Sequence, residues 1–294
     1  MMRNKVVAFG LALMVSTTFC FAASDRVTVL FDAFGRTPGF QKDWGFAALV
    51  EVAGKRILFD TGNDPRIFAD NVKAAGVDLT RLDFAVISHR HLDHTAGLSH
   101  LLAVNPTVVL YVPKEPFGVF GGSLPASLLR HDESLEAHER YFDGAPREAI
   151  VSGTPFPHAR FNYVDKTTEV APGVYVIALV SDTPGTREMR ELSLAVRTSQ
   201  GLVLVVGCSH PGIERIVEAA ATIDPRVRIV FGGFHMPAAP DAEIARVASS
   251  LHDRLKVERL APGHCTGEPT FAHFKRVWGP AYSHAGVGSV IELP

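Results

Sequence analysis

One short cluster of metal-ligating side chains constrains this chain more than any other feature. Residues 89–94 contain three histidines and one aspartate, and they follow directly on the apolar run 84–87. The run predicts a buried strand, and helical spacing of apolar residues begins at Thr95. So many potential ligands between a buried strand and a helix are unusual for an ordinary polar loop. The cluster therefore predicts a metal site.

The spacing within this cluster divides its side chains between two ions. His89 and His91 are two residues apart, and side chains two apart in an extended chain point the same way. They can therefore hold one ion together. Asp93 and His94 lie where the chain turns into the helix, so they project at a different angle and can serve a second ion. Neutral imidazoles with a carboxylate suit zinc best, with iron and manganese as alternatives.

Three more clusters of glycine and histidine follow apolar runs further along the chain. They centre on His210, His235 and His264, and two of them also contain a cysteine, Cys208 or Cys265. These two cysteines could form one disulfide in an oxidising compartment. Their place beside glycine and histidine means that metal or site chemistry competes with that pairing. The clusters supply candidates for the remaining metal ligands.

The order of apolar runs and helical segments predicts one α/β domain. Strands are predicted at 27–31, 46–52, 56–59, 84–87, 108–112, 174–179, 192–196, 202–206 and 227–231, and helices at 65–75, 95–103, 213–221 and 241–255. Asp241 is predicted to cap the last helix. Two β-rich halves with helices to cover them form an α/β sandwich.

The stretch 113–166 differs in character from the rest of the chain. It mixes proline, glycine and aromatic residues with a helical patch at 127–141. An irregular insertion of this length over an α/β core is typical of a lid or of the wall of a substrate pocket. We therefore predict a single domain at 24–294, in which the lid-like segment 113–166 lines the pocket.

Residues 1–23 have the layout of a secretory signal peptide. A positively charged start precedes the apolar run 6–15, and cleavage is expected after Ala22 or Ala23. The run is shorter than the roughly 20 residues of a membrane-spanning helix. This layout predicts a periplasmic or secreted protein with no membrane attachment after cleavage.

The charge balance argues against the polyanionic partners. The chain has 29 basic and 31 acidic residues, which gives a formal net charge of −2. Such a balance provides no electrostatic basis for binding nucleic acid or an anionic membrane. A small molecule is therefore the expected substrate.

The motif His89-x-His91-x-Asp93-His94 is similar to the signature of the metallo-β-lactamase superfamily. The segment 57–62 resembles the strand and turn that precede this motif in the family. The segments 207–213, 232–235 and 262–267 are similar to one branch of it, which includes the dihydropterin–ribofuranosylaminobenzene phosphate synthases. The resemblance runs from residue 27 to the C-terminus. It implies a four-layer αββα sandwich with the site at one edge, between the two sheets.

The resemblance assigns most ligands position by position. His89 and His91 match the pair that holds the first metal in the family. Asp93 and His94 match the pair that holds the second metal, and His264 matches the final histidine that completes it. These matches imply two divalent metal ions in the site.

The third ligand of the first metal departs from the family pattern. The segment 181–192, where much of the family carries it, holds no histidine, and the branch implies His210 instead. The usual bridging aspartate is replaced by Cys208 or is lost. His235 is expected to bind metal or to line the site. Asp60, at the end of a strand, is expected to accept a hydrogen bond from a ligand imidazole.

Other ionisable residues are expected to lie away from the metals. Arg187, Arg190 and Glu191 are predicted to form a solvated charge cluster. The histidines outside these motifs are assigned to the surface or the core, although His131 and His138 of the insertion could reach a substrate.

The ligand set predicts hydrolytic chemistry. A water held on or between two divalent ions has its pKa lowered from about 16 towards about 7, so it becomes a hydroxide nucleophile at neutral pH. Asp93 can both bind metal and orient that nucleophile, which makes it the candidate catalytic residue. We predict hydrolysis of a small ester, lactone, amide or phosphoester.

Two alternatives stay open at this point. One is the C–N bond-forming chemistry of the synthase branch, against which a secreted location argues because phosphorylated pterin intermediates are cytoplasmic metabolites. The other is a non-catalytic periplasmic protein that binds a metal or ligand. A di-iron redox site is disfavoured because it would carry more carboxylate ligands.

Overall fold

A computed structural model of the chain describes residues 25–115, 122–125, 130, 132–145, 149–152 and 156–293. The predicted signal peptide lies outside these residues, as do parts of the predicted insertion. None of the described helices is both long enough and apolar enough to cross a membrane.

The described secondary structure consists of strands and short helices that alternate along the chain. The strands are β1 (Arg26–Phe31), β2 (Ala47–Val52), β3 (Lys55–Phe59), β4 (Phe84–Val86), β5 (Val109–Pro113), β6 (Gly122–Pro125), β7 (Ala149–Ser152), β8 (Arg160–Val164), β9 (Thr168–Ala171), β10 (Val174–Val180), β11 (Arg190–Thr198), β12 (Gly201–Val206), β13 (Val227–Gly233), β14 (Arg259–Gly263) and β15 (Val290–Glu292). The helices are α1 (Pro65–Ala74), α2 (Leu92–Thr95), α3 (Leu98–Val104), α4 (Ile213–Ala221), α5 (Asp241–Ser249) and α6 (Glu268–Trp278). Every predicted strand and helical region outside the insertion has a counterpart here.

Two mixed sheets account for most of the strands. The first has the order β15-β1-β2-β3-β4-β5-β8 and the second has the order β14-β13-β12-β11-β10-β9. Strands β3, β4, β5 and β8 run parallel in the first sheet, and β12, β13 and β14 run parallel in the second. The carboxyl ends of parallel neighbours lie at the same edge of a sheet, so the loops that follow them are brought together.

Both faces of the central strands are buried, which explains why these strands are almost entirely apolar. In β12, Val203 and Val205 face the core between the two sheets, whereas Leu204 and Val206 face the helices outside. This alternation follows from the two-residue repeat of an extended chain. The strands could therefore be predicted from their continuous apolar runs.

Helices cover the outer face of each sheet. Helices α1 and α3 pack on the first sheet through residues such as Phe68 and Leu101. Helices α4, α5 and α6 pack on the second sheet through residues such as Ile216, Val247 and Phe274. The predicted four-layer αββα sandwich is confirmed.

The helix predicted at 95–103 is divided into two. Helix α2 begins three residues earlier than predicted, at Leu92, and α3 starts after Gly97. A Cβ atom at Gly97 would collide with the carbonyl oxygen of Thr61. The glycine lets the chain pass against the turn that follows β3, and this close approach fixes the motif next to that turn.

The prediction that Asp241 caps α5 is also wrong. Pro240 occupies the N-cap position and Asp241 is the first residue inside the helix, where its carboxylate faces the positive end of the helix dipole. The last part of the predicted helix, Ser250–Arg254, is a π-helical turn rather than α-helix.

The described part of the insertion differs from the prediction in two respects. Of the helical patch expected at 127–141, the described residues form only short 3₁₀ turns, Ala137–Glu139 and Tyr141–Gly144. Strand β8, which was assigned to the insertion, is the edge strand of the first sheet and pairs with β5. A small antiparallel pair of strands, β6 and β7, lies between them in the chain. The lid-like role of this segment stays a prediction.

Candidate metal centre

The candidate metal centre lies where the carboxyl ends of strands from both sheets meet. Its first-sheet part follows β3 and β4, and its second-sheet part follows β12, β13 and β14. The two parts are in direct contact, since Nε2 of His94 lies 3.2 Å from Nε2 of His264. Each sheet therefore contributes side chains to one shared site.

The first ligand group consists of His89, His91 and His210, whose ring nitrogens lie within 4.8 Å of one another. Nε2 of His89 is 3.1 Å from Nδ1 of His91. The ring of His210 lies 4.6 Å from that of His89 and 4.9 Å from that of His91, measured between centroids. The structure thus places His210 where the sequence analysis expected the third ligand of the first metal.

The second ligand group consists of Asp93, His94 and His264. Oδ2 of Asp93 lies 3.6 Å from Nε2 of His94 and 3.4 Å from Nε2 of His264. Both imidazoles are fully buried, whereas the side chain of Asp93 is 18% exposed. Asp93 is therefore the member of this group that a solvent molecule or a substrate can reach.

Cys208 lies between the two ligand groups. Its Sγ is 3.2 Å from Nε2 of His94, and with His89 and His94 it forms a further set of atoms that could hold an ion. His89 belongs to the first ligand group and His94 to the second. The thiol therefore occupies the place where a bridging ligand is expected.

The spacing of these atoms, and the protonation of His89 and His91, fit divalent ions. A tetrahedral ion with bonds of about 2.0–2.1 Å to nitrogen sets its ligand atoms about 3.3 Å apart. The 3.1 Å between His89 and His91 and the 3.2–3.6 Å within the second group lie close to this value. Nε2 of His210 is buried without a hydrogen-bond partner. Burial and repulsion from the other imidazoles lower the pKa of His89 well below its usual range, and burial lowers that of His91 to about 4. Neutral imidazoles with inward lone pairs are good metal ligands.

Asp60 orients two of the candidate ligands. The Nδ1–H group of His94 donates to Oδ2 of Asp60 at 2.7 Å, and the Ser88 hydroxyl donates to the same oxygen at 2.7 Å. The Ser88 oxygen in turn accepts from Nδ1 of His89 at 2.9 Å. Burial alone would lower the pKa of His94, because it disfavours the charged imidazolium. The negative charge of Asp60 outweighs this effect and raises the pKa of His94 to about 9 in the metal-free protein. These bonds leave Nε2 of both histidines free to face an ion, which agrees with the expected role of Asp60.

Glu191 has a comparable role for the loop after β12, and the sequence analysis was wrong about it. The residue is fully buried rather than solvated, and its carboxylate accepts hydrogen bonds from the backbone N–H groups of Cys208, Ser209 and His210. It also accepts from Nδ1 of His210 at 2.8 Å. Burial alone would raise the pKa of Glu191, but these donors lower it below its usual value. Glu191 therefore fixes both the backbone and the ring of a candidate ligand.

Asp32 is a second buried carboxylate that the sequence analysis missed. Its Oδ2 accepts from the backbone N–H of His264 at 2.9 Å, and its Oδ1 accepts from that of Phe34 at 3.0 Å. Burial raises the pKa of Asp32 to about 7. Asp32 follows β1 as Asp60 follows β3, so an aspartate at the end of an apolar run was the signal that could have identified it.

The segment that lacks the expected histidine supports His210 instead. The hydroxyl groups of Ser181 and Thr183 donate to the carbonyl oxygen of His210, at 2.9 and 3.1 Å. The loop in which the family resemblance implies a ligand thus positions, in this chain, a ligand that follows β12.

His235 and Cys265 border the first ligand group. The ring of His235 is exposed and its centroid lies 4.4 Å from that of His210. Its backbone N–H donates to Sγ of Cys265 at 3.3 Å. Both Cys265 and Cys208 are buried free thiols, so the disulfide considered from the sequence is not formed here. Together with Cys208, His235 and Cys265 form a fourth set of potential ligands.

Comparison with known proteins identifies the family. The beta-lactamase superfamily domain matches residues 55–265, and the chain belongs to this superfamily. The chain is 27% identical, over 90% of its length and 95% of the relative's, to 7,8-dihydropterin-6-methyl-4-(beta-D-ribofuranosyl)-aminobenzene-5'-phosphate synthase from Methanocaldococcus jannaschii. The resemblance inferred from the motifs is confirmed.

Solved structures support the same fold. The crystal structure of a metal-dependent hydrolase of the beta-lactamase superfamily superimposes with a TM-score of 0.69 at 26% identity, and covers 92% of this chain and 99% of that one. The metallo-beta-lactamase fold protein YhfI from Bacillus subtilis has a TM-score of 0.57 at 15% identity, with 92% and 100% covered. At 15% identity, the similarity to YhfI supports the fold alone.

Proposed function

We propose that this chain is a metal-dependent hydrolase of small molecules that holds one divalent ion in each ligand group. The observation that carries the proposal is the arrangement of two three-residue groups, each built from side chains of both sheets, with Cys208 between them. The similarity to a solved metal-dependent hydrolase along almost the whole chain supports it. We propose a small ester, lactone, amide or phosphoester as the substrate.

The side chains around the ions have separate tasks in such a reaction. Two divalent ions held by the two ligand groups would supply Lewis-acid chemistry for a carbonyl or phosphoryl oxygen and for water. The partly exposed carboxylate of Asp93 can accept a hydrogen bond from the attacking water and so orient it. The exposed imidazole of His235 lies beside His210, where it can hydrogen-bond to the substrate.

The proposed ligands favour zinc. A thiol from Cys208 is a soft ligand, and imidazole suits zinc, whereas manganese prefers oxygen ligands. Burial raises the pKa of the Cys208 thiol well above its usual value, so a nearby ion would be needed to hold it as a thiolate. Iron, which also accepts imidazole and thiolate ligands, is the alternative.

The synthase reaction is a second candidate. The archaeal synthase is similar along 95% of its own length, which a match to the metal-binding core alone would not produce. Mass spectrometry can seek the product after incubation of the metal-loaded protein with a ribofuranosylaminobenzene phosphate and a dihydropterin that carries a leaving group, such as a diphosphate, on its 6-methyl carbon. The amine nitrogen forms the new C–N bond as the C–O bond to the diphosphate breaks. Its formation, with no cleavage of a phenyl ester, a γ-lactone or a nitrophenyl phosphodiester, would replace the hydrolase proposal. A metal-loaded protein that converts none of these would favour the binding-protein alternative.

The metal content of the purified protein tests the ligand assignment. We expect about two zinc ions per chain by elemental analysis, and a lower content in the His91→Ala and His210→Ala variants. Each variant loses one ligand of the first group. The exposed His158 provides the matched control, since His158→Ala removes a histidine outside both groups. Unchanged metal content in His210→Ala would overturn the assignment of the third ligand.

We also propose that the protein acts in the periplasm or outside the cell, from the layout of residues 1–23. Expression of the full chain in a bacterium with a Sec pathway should yield a mature protein that begins at Ala23 or Ser24. Intact-mass measurement of the periplasmic fraction determines this start. A full-length mass in the cytoplasm would contradict the proposal and would remove the main argument against the synthase reaction.

A further inference from the structure

An exposed tryptophan lies at the edge of the second ligand group. The indole ring of Trp44 contacts the imidazole of His264, with 5.2 Å between the ring centroids. Trp44 is nevertheless 48% exposed. A tryptophan buries a large apolar area when it is covered, so leaving half of it in water forgoes much of the stabilisation that burial would give.

The segment that carries Trp44 is held on both sides. Before it, the backbone N–H of Gln41 donates to Oδ1 of Asn71, and Nδ2 of Asn71 donates to the Gln41 carbonyl oxygen. After it, the backbone N–H of Phe46 donates to the carbonyl oxygen of Asp93 at 3.1 Å. The indole is therefore held in place before any ligand arrives, which lowers the entropy cost of binding.

Gly45 allows this close approach to the metal-binding motif. A Cβ atom at Gly45 would lie 2.6 Å from the carbonyl oxygen of Asp93, and the φ angle of +147° is one that other residues rarely adopt. The pair Trp44-Gly45 thus brings an aromatic side chain alongside the ligand-bearing segment.

Leu92 adds a second apolar side chain to the same edge. It is 68% exposed although it lies inside the motif, between His91 and Asp93. Phe46 and Asp93 are hydrogen-bonded neighbours, so the segments that carry Trp44 and Leu92 run side by side. The accessible carboxylate of Asp93 thus follows the exposed Leu92 in the chain and lies 3.4 Å from His264, the residue that the exposed indole contacts.

We propose that Trp44 forms the wall of the substrate site and selects substrates that carry an aromatic or heteroaromatic ring next to the reacting bond. The flat indole can stack against such a ring while the reacting group reaches the ions beside Asp93. Leu92 covers the ring from the neighbouring segment. The reaction at the ions rests on the proposed function. Selection of a ring depends only on binding, so it does not require turnover.

Binding of two phosphonates tests this inference without catalysis. Phenylphosphonate and methylphosphonate share one metal-binding head group and differ in the ring. By calorimetry we expect the metal-loaded protein to bind phenylphosphonate about tenfold more tightly. The preference should disappear in Trp44→Ala and persist largely in Trp44→Phe. Metal content is measured in each variant, so that loss of an ion is not mistaken for loss of the wall.

Fluorescence gives an independent readout, because the chain has two tryptophans and the other, Trp278, is buried. Phenylphosphonate should change the emission of the wild type but not that of Trp44→Phe. Absence of a ring preference in the wild type, or an equal preference in Trp44→Ala, would overturn the inference even if esters are hydrolysed. A ring preference that depends on Trp44 would uphold it even if no ester is hydrolysed, in which case only the hydrolase proposal fails.

Discussion

Under the proposed hydrolase function, replacing His89 by alanine is expected to lower kcat/KM by at least about 10³-fold. A catalytic ion contributes several kcal/mol of transition-state stabilisation, and each 1.36 kcal/mol is about tenfold in rate. His89 is fully buried in the first ligand group. It also belongs, with His94, to the set of potential ligands that contains Cys208. Its loss therefore weakens both the first ion and the bridge to the second.

Steady-state kinetics on the best substrate from the ester, lactone and phosphodiester screen measures this effect. Circular dichroism must show that His89→Ala is folded, and the exposed His158→Ala should keep its full rate. A folded His89→Ala protein that retains its metal and works within tenfold of the wild type would remove His89 from the catalytic centre.

Replacing Glu191 by alanine is expected to lower the free energy of unfolding by about 3–5 kcal/mol, the usual cost of removing one partner from a buried charged network. The substitution leaves the backbone N–H groups of 208–210 and the His210 ring without their acceptor in a buried place. Glu191→Gln keeps one carbonyl acceptor and should lose less stability. Urea denaturation of the metal-free proteins measures both.

The exposed Glu133 supplies the control for Glu191. Glu133→Ala also removes one carboxylate but is expected to change stability by less than about 0.5 kcal/mol, as surface substitutions usually do. If Glu191→Ala is as stable as Glu133→Ala, the buried carboxylate does not hold the loop after β12. Metal analysis of Glu191→Ala then shows whether His210 keeps its position without it.

Local patterns in the sequence predicted the strands and the first part of the site. The apolar runs identified β12 and its neighbours because both faces of these strands are buried, and the motif 89–94 carries its ligands within a few residues. The later ligands, His210 and His264, were assigned through the family resemblance. Spacing could not have paired them with the motif, since they come from the other sheet.

The supporting carboxylates could not be predicted because their partners are far away in the chain. Asp32 binds the backbone of His264, 232 residues later. Glu191 was placed in solvent because Arg187 and Arg190 are its neighbours in the sequence. As the second residue of β11, however, it turns its side chain towards the loop at 208–210. Secondary-structure propensity describes single segments of the chain, whereas the hydrogen bonds of Asp32 and Glu191 depend on how distant segments pack together.

The origin of the ligands has a consequence for how the protein holds together. In each ligand group two side chains follow β4 of the first sheet and the third follows a strand of the second sheet. Two bound ions would then act as cross-links between the two halves of the sandwich, at one end of an interface that is otherwise held by apolar packing. Ions that bind only the folded state add their binding free energy to its stability. The concentration of free metal around the protein would thus set how firmly its halves are joined, as well as how fast it works.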